Sequence, residues 1–213
     1  MENLKNLTVE QFVSLTASDA PAPGGGSVSA LAASLGAALA EMVANLTIGK
    51  EKYADADAQM RDVSAQAAVL RTELVEAIHK DTESFTAYMT ALKMPKDTEE
   101  QKAVRRQAMQ QGLKEAALVP LDVAKTAVKI FPLAQQAVTS GNPNAVTDGL
   151  VAAMLARSAV LGALLNVKIN LGSIKDETFV DDLAQQVKQL EKQAITLEKQ
   201  VLDASSLTDT IFE

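Results

Sequence analysis

Apolar positions recur every three and four residues along most of the chain and nowhere alternate over a sustained run, so the predicted elements are helices. Thr8-Val9-Glu10-Gln11 has the S/T-x-x-E/Q form of a capping box, and Phe12, Val13 and Leu15 supply the stripe of a short helix over about 9–18. Residues 27–48, closed by Gly49, carry Ser29, Ala32, Ala33, Gly36, Ala37 and Ala40 on one smooth face, which lets a neighbouring backbone come close. Val63, Ala67, Leu70, Leu74, Ile78, Phe85 and Leu92 mark one long helix over 55–93, or two nearly collinear ones, ended by Met94-Pro95. The next helix starts near Thr98 and runs toward Pro120, where a kink or restart is expected. Its apolar face continues to Phe131-Pro132, and 133–138 forms a further short piece. Gly141-Asn142-Pro143-Asn144 is a break, after which 145–166 is apolar almost all round and is expected to be buried. Residues 166–172 are the one stretch where a short extended segment fits. Leu183, Val187, Leu190, Ala194, Leu197 and Val201 then follow the a/d spacing of a coiled-coil seam, which packs on a bundle or pairs with a second chain. The expected architecture is all-α: one helical bundle domain over 1–213 with long antiparallel helices, of which 203–213 is a partly ordered tail.

Composition narrows the chemistry. The chain has no cysteine and a single histidine, His79, so disulfides, thiolate metal sites and multi-histidine zinc sites are excluded. His79 lies among Lys80, Asp81 and Glu83 and reads as a solvated helix position. A net charge of -7, no tryptophan and few other aromatic residues argue against a nucleic-acid partner. Glu41, Lys50, Glu51 and Lys52 interrupt the small-residue run, which argues against a membrane span. The polar, acidic stretch 1–10 has no signal-peptide character, so a cytoplasmic location is expected.

Pro21-Ala22-Pro23-Gly24-Gly25-Gly26-Ser27 is the most distinctive string. Two prolines hold it extended, three glycines free the backbone, and Ser27 is a favoured N-cap. The unpaired N–H groups and positive dipole end of the helix that follows would suit an anion, but neither phosphate-loop spacing is present, and the string alone favours a plain capped turn. Asp81, Asp148, Asn166 and Asn170 are polar residues set within or beside apolar faces. Lys50, Lys96 and Arg105 would by default be solvated charges. Pattern alone yields no reaction.

Longer strings yield one. The loop and Val28-Ser-Ala-Leu31, Gly36-Ala-Ala-Leu39, Leu46-Thr-Ile-Gly-Lys50, Tyr53, Asp81-Thr-Glu-Ser-Phe85, Met94-Pro95-Lys96, Arg105, Val119-Pro120-Leu121, Gly141-Asn142, Thr147-Asp148 and Asn166-Val-Lys-Ile-Asn170-Leu resemble the cyclodeaminase domain of formimidoyltransferase-cyclodeaminase. The stand-alone methenyltetrahydrofolate cyclohydrolases share these motifs, and the likeness covers about residues 8–185. Ser29 and Ser84 stand where alanine is familiar, and Thr147 where serine is.

The resemblance implies an all-helical, homodimeric folate enzyme without metal or nucleotide cofactor, acting on a tetrahydrofolate derivative that includes its polyglutamylated forms. It implies no nucleic-acid or membrane partner. The transferase domain of the two-domain relatives is not in this chain, so formimino transfer is expected from a separate formimidoyltransferase. The leading expectation is cyclodeamination: N10 attacks the N5-formimino carbon, and ammonia leaves 5,10-methenyltetrahydrofolate. Cyclohydrolase action on the same methenyl product is the alternative, and a non-catalytic folate-binding or scaffolding subunit is a rival of another class. Ring closure needs two proton transfers, for which Asp81 and Asp148 are the candidate carboxyls. Pro23, Gly24, Gly25, Gly26, Ser27, Lys50, Lys96, Arg105 and Asn170 are the expected substrate-binding residues, holding the glutamyl tail or the pterin edge.

Overall fold

The structure, a computed structural model, describes residues 3–210. Seven α-helices account for most of them: α1 (Val9–Thr16), α2 (Gly25–Asn45), α3 (Asp57–Leu92), α4 (Glu99–Val128), α5 (Ile130–Ser140), α6 (Val146–Leu171) and α7 (Glu177–Leu202). No strand occurs among the described residues. The capping box at Thr8 and Gln11 forms as the sequence predicts, and a second one, Thr98 with Gln101, starts α4.

The small-residue helices α2 and α6 lie against each other antiparallel at the centre. Built on the backbone, a Cβ at Gly36 would meet the Ala152 carbonyl at 3.0 Å, one at Gly162 the Ser29 hydroxyl at 2.5 Å, and one at Gly25 the Asn166 amide at 3.0 Å. Side chains any larger would push the two backbones apart, so the smooth faces are what permit the pairing. Ala33, Ala37, Ala40, Ala152, Ala156 and Ala163 are fully buried between or beside them. α3 packs along α2, α4 fills the groove between α3 and α6, and α5 and α7 cover the far side of α6. The heptad seam of α7 is consumed within the chain: Leu183, Val187, Leu190, Ala194 and Val201 are buried in the bundle core.

Several local expectations are corrected. α2 starts two residues early, with Gly24 as N-cap, so Ser27 sits in its first turn and does not cap it. The stretch 166–172 is helical through Leu171, because burial of Val167 and the side-chain bonds of Asn170 outweigh β-branched preference. Of the tail expected to be partly ordered, 203–213, the structure describes 203–210. Thr208 is buried and its hydroxyl donates to the Leu202 and Ser205 carbonyls, while 211–213 of that expected tail lie outside the described residues.

Pro120 does not end its helix. α4 continues through it and breaks only at Lys129. A proline at 120 has no N–H for the carbonyl four residues back, Ala116. The Asn170 side-chain amide donates to that same carbonyl at 2.9 Å. A residue from α6 thus repairs the backbone defect in α4 and ties the two helices together.

Candidate active site

The glycine loop, the C-terminal third of α3, the middle of α4 and the C-terminal end of α6 converge on a cavity of about 300 Å³. Gly24, Gly25 and Gly26 form one wall, Asp81, Ser84 and Phe85 another, and Asn166, Ile169 and Asn170 a third. Asp81 is the only ionisable residue among the lining side chains.

The loop does bind an anion, and the anion is part of the chain. The buried Ser27 hydroxyl donates to Asp81 Oδ2 at 3.0 Å, and the Ser27 backbone N–H donates to the same carboxyl. Asp81 therefore occupies the positive end of α2, where a carboxylate is favoured. The approach is so close that a Cβ at Gly26 would lie 2.1 Å from Asp81 Oδ1, so only glycine fits. Burial nevertheless pushes the Asp81 carboxyl above its usual range, against the pull of the two Ser27 hydrogen bonds. A carboxyl raised in this way can both take and return a proton closer to neutrality.

The two asparagines are held rigidly. Asn170 spends both N–H groups of its amide on Ala116 O and Asn166 O, and Asn166 donates to Gly162 O at 2.9 Å. What remains to a ligand is the carbonyl oxygen of each and one N–H of Asn166. That is a set able to read a flat, amide-like edge.

Of the expected site residues, Gly24, Gly25, Gly26, Asp81 and Asn170 line this cavity, and Ser27 holds Asp81 from behind. Pro23 is buried in the loop, with its Ala22–Pro23 peptide cis, and is not among the lining residues. Arg105 lies at the α3–α4 tip, where its guanidinium donates to Leu92 O and closes the end of α3. Lys96 is exposed on the same tip, so both stand roughly 16 Å along the helices from the cavity. Lys50 and Asp148 are elsewhere. Asp148 precedes Asn166 by 18 residues on the same helix, roughly 27 Å at 1.5 Å per residue. It sits in the first turn of α6 beside the Gly141–Asn142 turn. There Asn142 bonds Thr47 and Tyr53, close to the exposed Lys50. Within one chain, then, Asp81 and Asp148 do not meet. His79 is partly buried and accepts a bond from the Leu4 N–H, so it is not the solvated residue expected; nor does it line the cavity.

Asn166, Ser84, Phe85, Ala116 and Ile169 line the cavity without having been chosen from the sequence as binding residues. Asn166 alone left a signal, four residues before Asn170 and on the same helix face. A larger groove of about 470 Å³ between α3 and α4 is rimmed by Glu73, Glu76, Asp122 and Lys80. Its acidic excess does not suit an acidic ligand.

Known proteins resemble this chain in sequence and in fold. The chain is 36% identical to methenyltetrahydrofolate cyclohydrolase of Methylorubrum extorquens, over 93% of this chain and 95% of that one. It is 37% identical to formimidoyltransferase-cyclodeaminase of Sus scrofa over 95% of this chain, but spans only 37% of that longer protein. Its fold superposes on the crystal structure of formiminotetrahydrofolate cyclodeaminase from Thermotoga maritima with a TM-score of 0.83 and 31% identity, covering 94% of this chain and 96% of the other. Residues 8–189 match the family described as formiminotransferase-cyclodeaminase, and with full-length relatives at this identity and a shared fold, the chain belongs to that family.

Proposed function

We propose that the chain is a formimidoyltetrahydrofolate cyclodeaminase in which Asp81 moves the protons of ring closure. The observation that carries this is the Asp81 carboxyl itself: raised by burial, fixed by Ser27, and facing a cavity of about 300 Å³ whose other polar walls are two clamped asparagines. In the reaction, N10 forms a bond to the N5-formimino carbon and loses its proton to a base. The tetrahedral carbon then expels its amino group as ammonia once that nitrogen is protonated. The formimino group enters protonated, as CH=NH2+, so a carboxylate that accepts the N10 proton and hands it to the departing nitrogen gives neutral ammonia and the cationic methenyl product without an external acid. Asn166 and Asn170 suit the pterin edge, and holding N10 against the formimino carbon supplies the positional part of the acceleration.

The similarity to the Methylorubrum extorquens cyclohydrolase along nearly its whole length favours one second reading. There, water adds to the methenyl carbon and the N5–C bond opens to give 10-formyltetrahydrofolate. Both reactions pass through a tetrahedral carbon between N5 and N10, so the same carboxyl serves either.

The proposal extends to the setting. The enzyme is a cytoplasmic homodimer working on a folate substrate, polyglutamates included, without metal or organic cofactor. A separate formimidoyltransferase supplies the formimino compound, and no nucleic acid or membrane takes part. Lys96 and Arg105 at the α3–α4 tip lie where a trailing glutamyl chain could reach them. The test is to give the purified protein 5-formiminotetrahydrofolate and, separately, 5,10-methenyltetrahydrofolate. Methenyl absorbance rising in the first sample is the expected result. A fall in the second alone establishes the cyclohydrolase, and no change in either overturns both.

A further inference from the structure

The α6 wall of the Asp81 cavity carries two asparagines held by different means. Asn166 donates to Gly162 O, the carbonyl one turn back on its own helix, and keeps its second N–H. Asn170 donates from Nδ2 to Asn166 O at 2.8 Å and to Ala116 O of α4 at 2.9 Å, which uses both of its N–H groups. Both partners are carbonyl oxygens and only accept, so the amide cannot be turned round without losing both bonds. Among the described residues nothing donates to Asn170 Oδ1. That oxygen is the free end of a side chain that lines the cavity, and it is an acceptor only.

The two anchors are not equal. Asn166 O stands four residues before Asn170 and also belongs to the backbone ladder of α6. No ladder donor competes for Ala116 O, because that donor would be the N–H of residue 120, and residue 120 is proline. Inside a helix the proline ring also crowds the carbonyl four residues back, which turns it off the helix axis. Ala116 and Asn170 line the cavity, while Pro120 is buried one turn further along α4 and is not among the lining residues.

We infer that Pro120 is a positioning residue of the folate site: by leaving Ala116 O open to Asn170 it locks that amide with Oδ1 toward the ligand, so that the site selects a ring edge that donates hydrogen bonds. The inference rests on the folate reading above and deepens it. A tetrahydropterin presents adjacent donors only at its 2-amino group and N3–H, on the side of the ring system remote from N10. The C4 carbonyl beside them is an acceptor and does not suit Oδ1. Asn170 therefore takes an N–H of the aminopyrimidinone edge, while Asp81, on another wall of the cavity, faces the reacting N10. Repair of the α4 ladder is the plainer role for this contact, and it predicts that residue 120 has no influence on ligand choice.

The test compares two ligands by calorimetry: 5-formyltetrahydrofolate, a stable mimic of the formimino compound, and its analogue with hydrogen in place of the 2-amino group. Wild type is expected to favour the amino compound by about tenfold, the worth of one hydrogen bond. Pro120→Ala supplies the missing N–H in a good helix former, so Ala116 O returns to the α4 ladder and Asn170 is left on one shared anchor. Its preference should fall to about threefold or less, with cooperative thermal unfolding retained. In Pro120→Ala/Asn170→Ala the carbonyl is served from within α4 and the acceptor is gone, so this protein should fold and show no preference. Equal binding of the two ligands by wild type overturns the inference. So does a ratio left intact in either variant, including one in which both ligands weaken alike, the mark of a purely structural role. A wild-type protein that turns over neither folate yet loses its preference in Pro120→Ala supports the inference and removes only the proposed reaction.

Discussion

Replacing Gly26 by alanine separates activity from stability in a way the geometry specifies. The added Cβ would lie 2.1 Å from Asp81 Oδ1, 2.5 Å from Cγ and 2.6 Å from Oδ2, against a limit near 3.0 Å for real contacts. The carboxyl must therefore retreat by about 1 Å, and its bond to the Ser27 hydroxyl, now 3.0 Å, is lost or stretched. The stability cost is modest, because the clashing atoms end a side chain that can rotate. A charge-assisted hydrogen bond is worth about 1.5–3 kcal/mol, and Gly→Ala in a helix returns about 0.5–1 kcal/mol, for a net loss of about 1–2 kcal/mol. For a chain of this length that lowers Tm by a few degrees. Activity suffers more, since a misplacement of about 1 Å in a reacting group costs on the order of 10²-fold. Gly25→Ala, whose Cβ would stand 3.0 Å from the Asn166 amide, should lose far less, and Gly24→Ala, with nothing within 4 Å, should lose nothing. The three variants are compared by methenyl absorbance at saturating substrate and by thermal unfolding. Wild-type turnover in Gly26→Ala, or equal losses in all three, would refute the reasoning.

Two further predictions follow from the same site. Because burial raises the Asp81 carboxyl above its unfolded value, the native state holds its proton more tightly. The contribution of this group is then fully present in acid and is lost as pH rises through the folded value. Asp81→Asn should therefore unfold at a higher temperature than wild type at pH 7–8, with the gap closing as pH falls below the unfolded value near 3.9; a gap that is constant with pH contradicts the burial argument. Asn170→Ala should cost about 1–3 kcal/mol by orphaning the Ala116 carbonyl, and Pro120→Ala should recover much of that by supplying a backbone N–H; strictly additive denaturation energies would show that Asn170 does not serve that carbonyl.

The helices were legible because periodicity reports burial: Val63, Leu70, Leu74 and Ile78 of α3 and Leu183, Val187 and Leu190 of α7 are buried where expected, whereas α6, expected to be buried, leaves Val151 and Leu165 exposed. What was not legible depends on long-range partners. Ser27 has the chemistry of an N-cap, yet Asp81, 54 residues away, takes its hydroxyl and lets α2 begin at Gly25. Pro120 reads as a break, yet Asn170 supplies the missing donor from another helix. The site was legible in part. The glycine loop, Asp81 and Asn170 share a cavity, while Lys50 and Asp148 lie at the other end of the α2–α6 pair.

The central claim is that the Asp81 carboxyl moves a proton during turnover, and Asp81→Asn tests it most directly. The full-length variant is assayed with 5-formiminotetrahydrofolate for turnover, and its folate affinity is measured by calorimetry. The amide keeps the shape and an acceptor for Ser27 but cannot exchange a proton, so turnover should fall by about 10² to 10⁴ with affinity nearly unchanged. Wild-type turnover at saturating substrate, with or without weakened binding, would contradict the account.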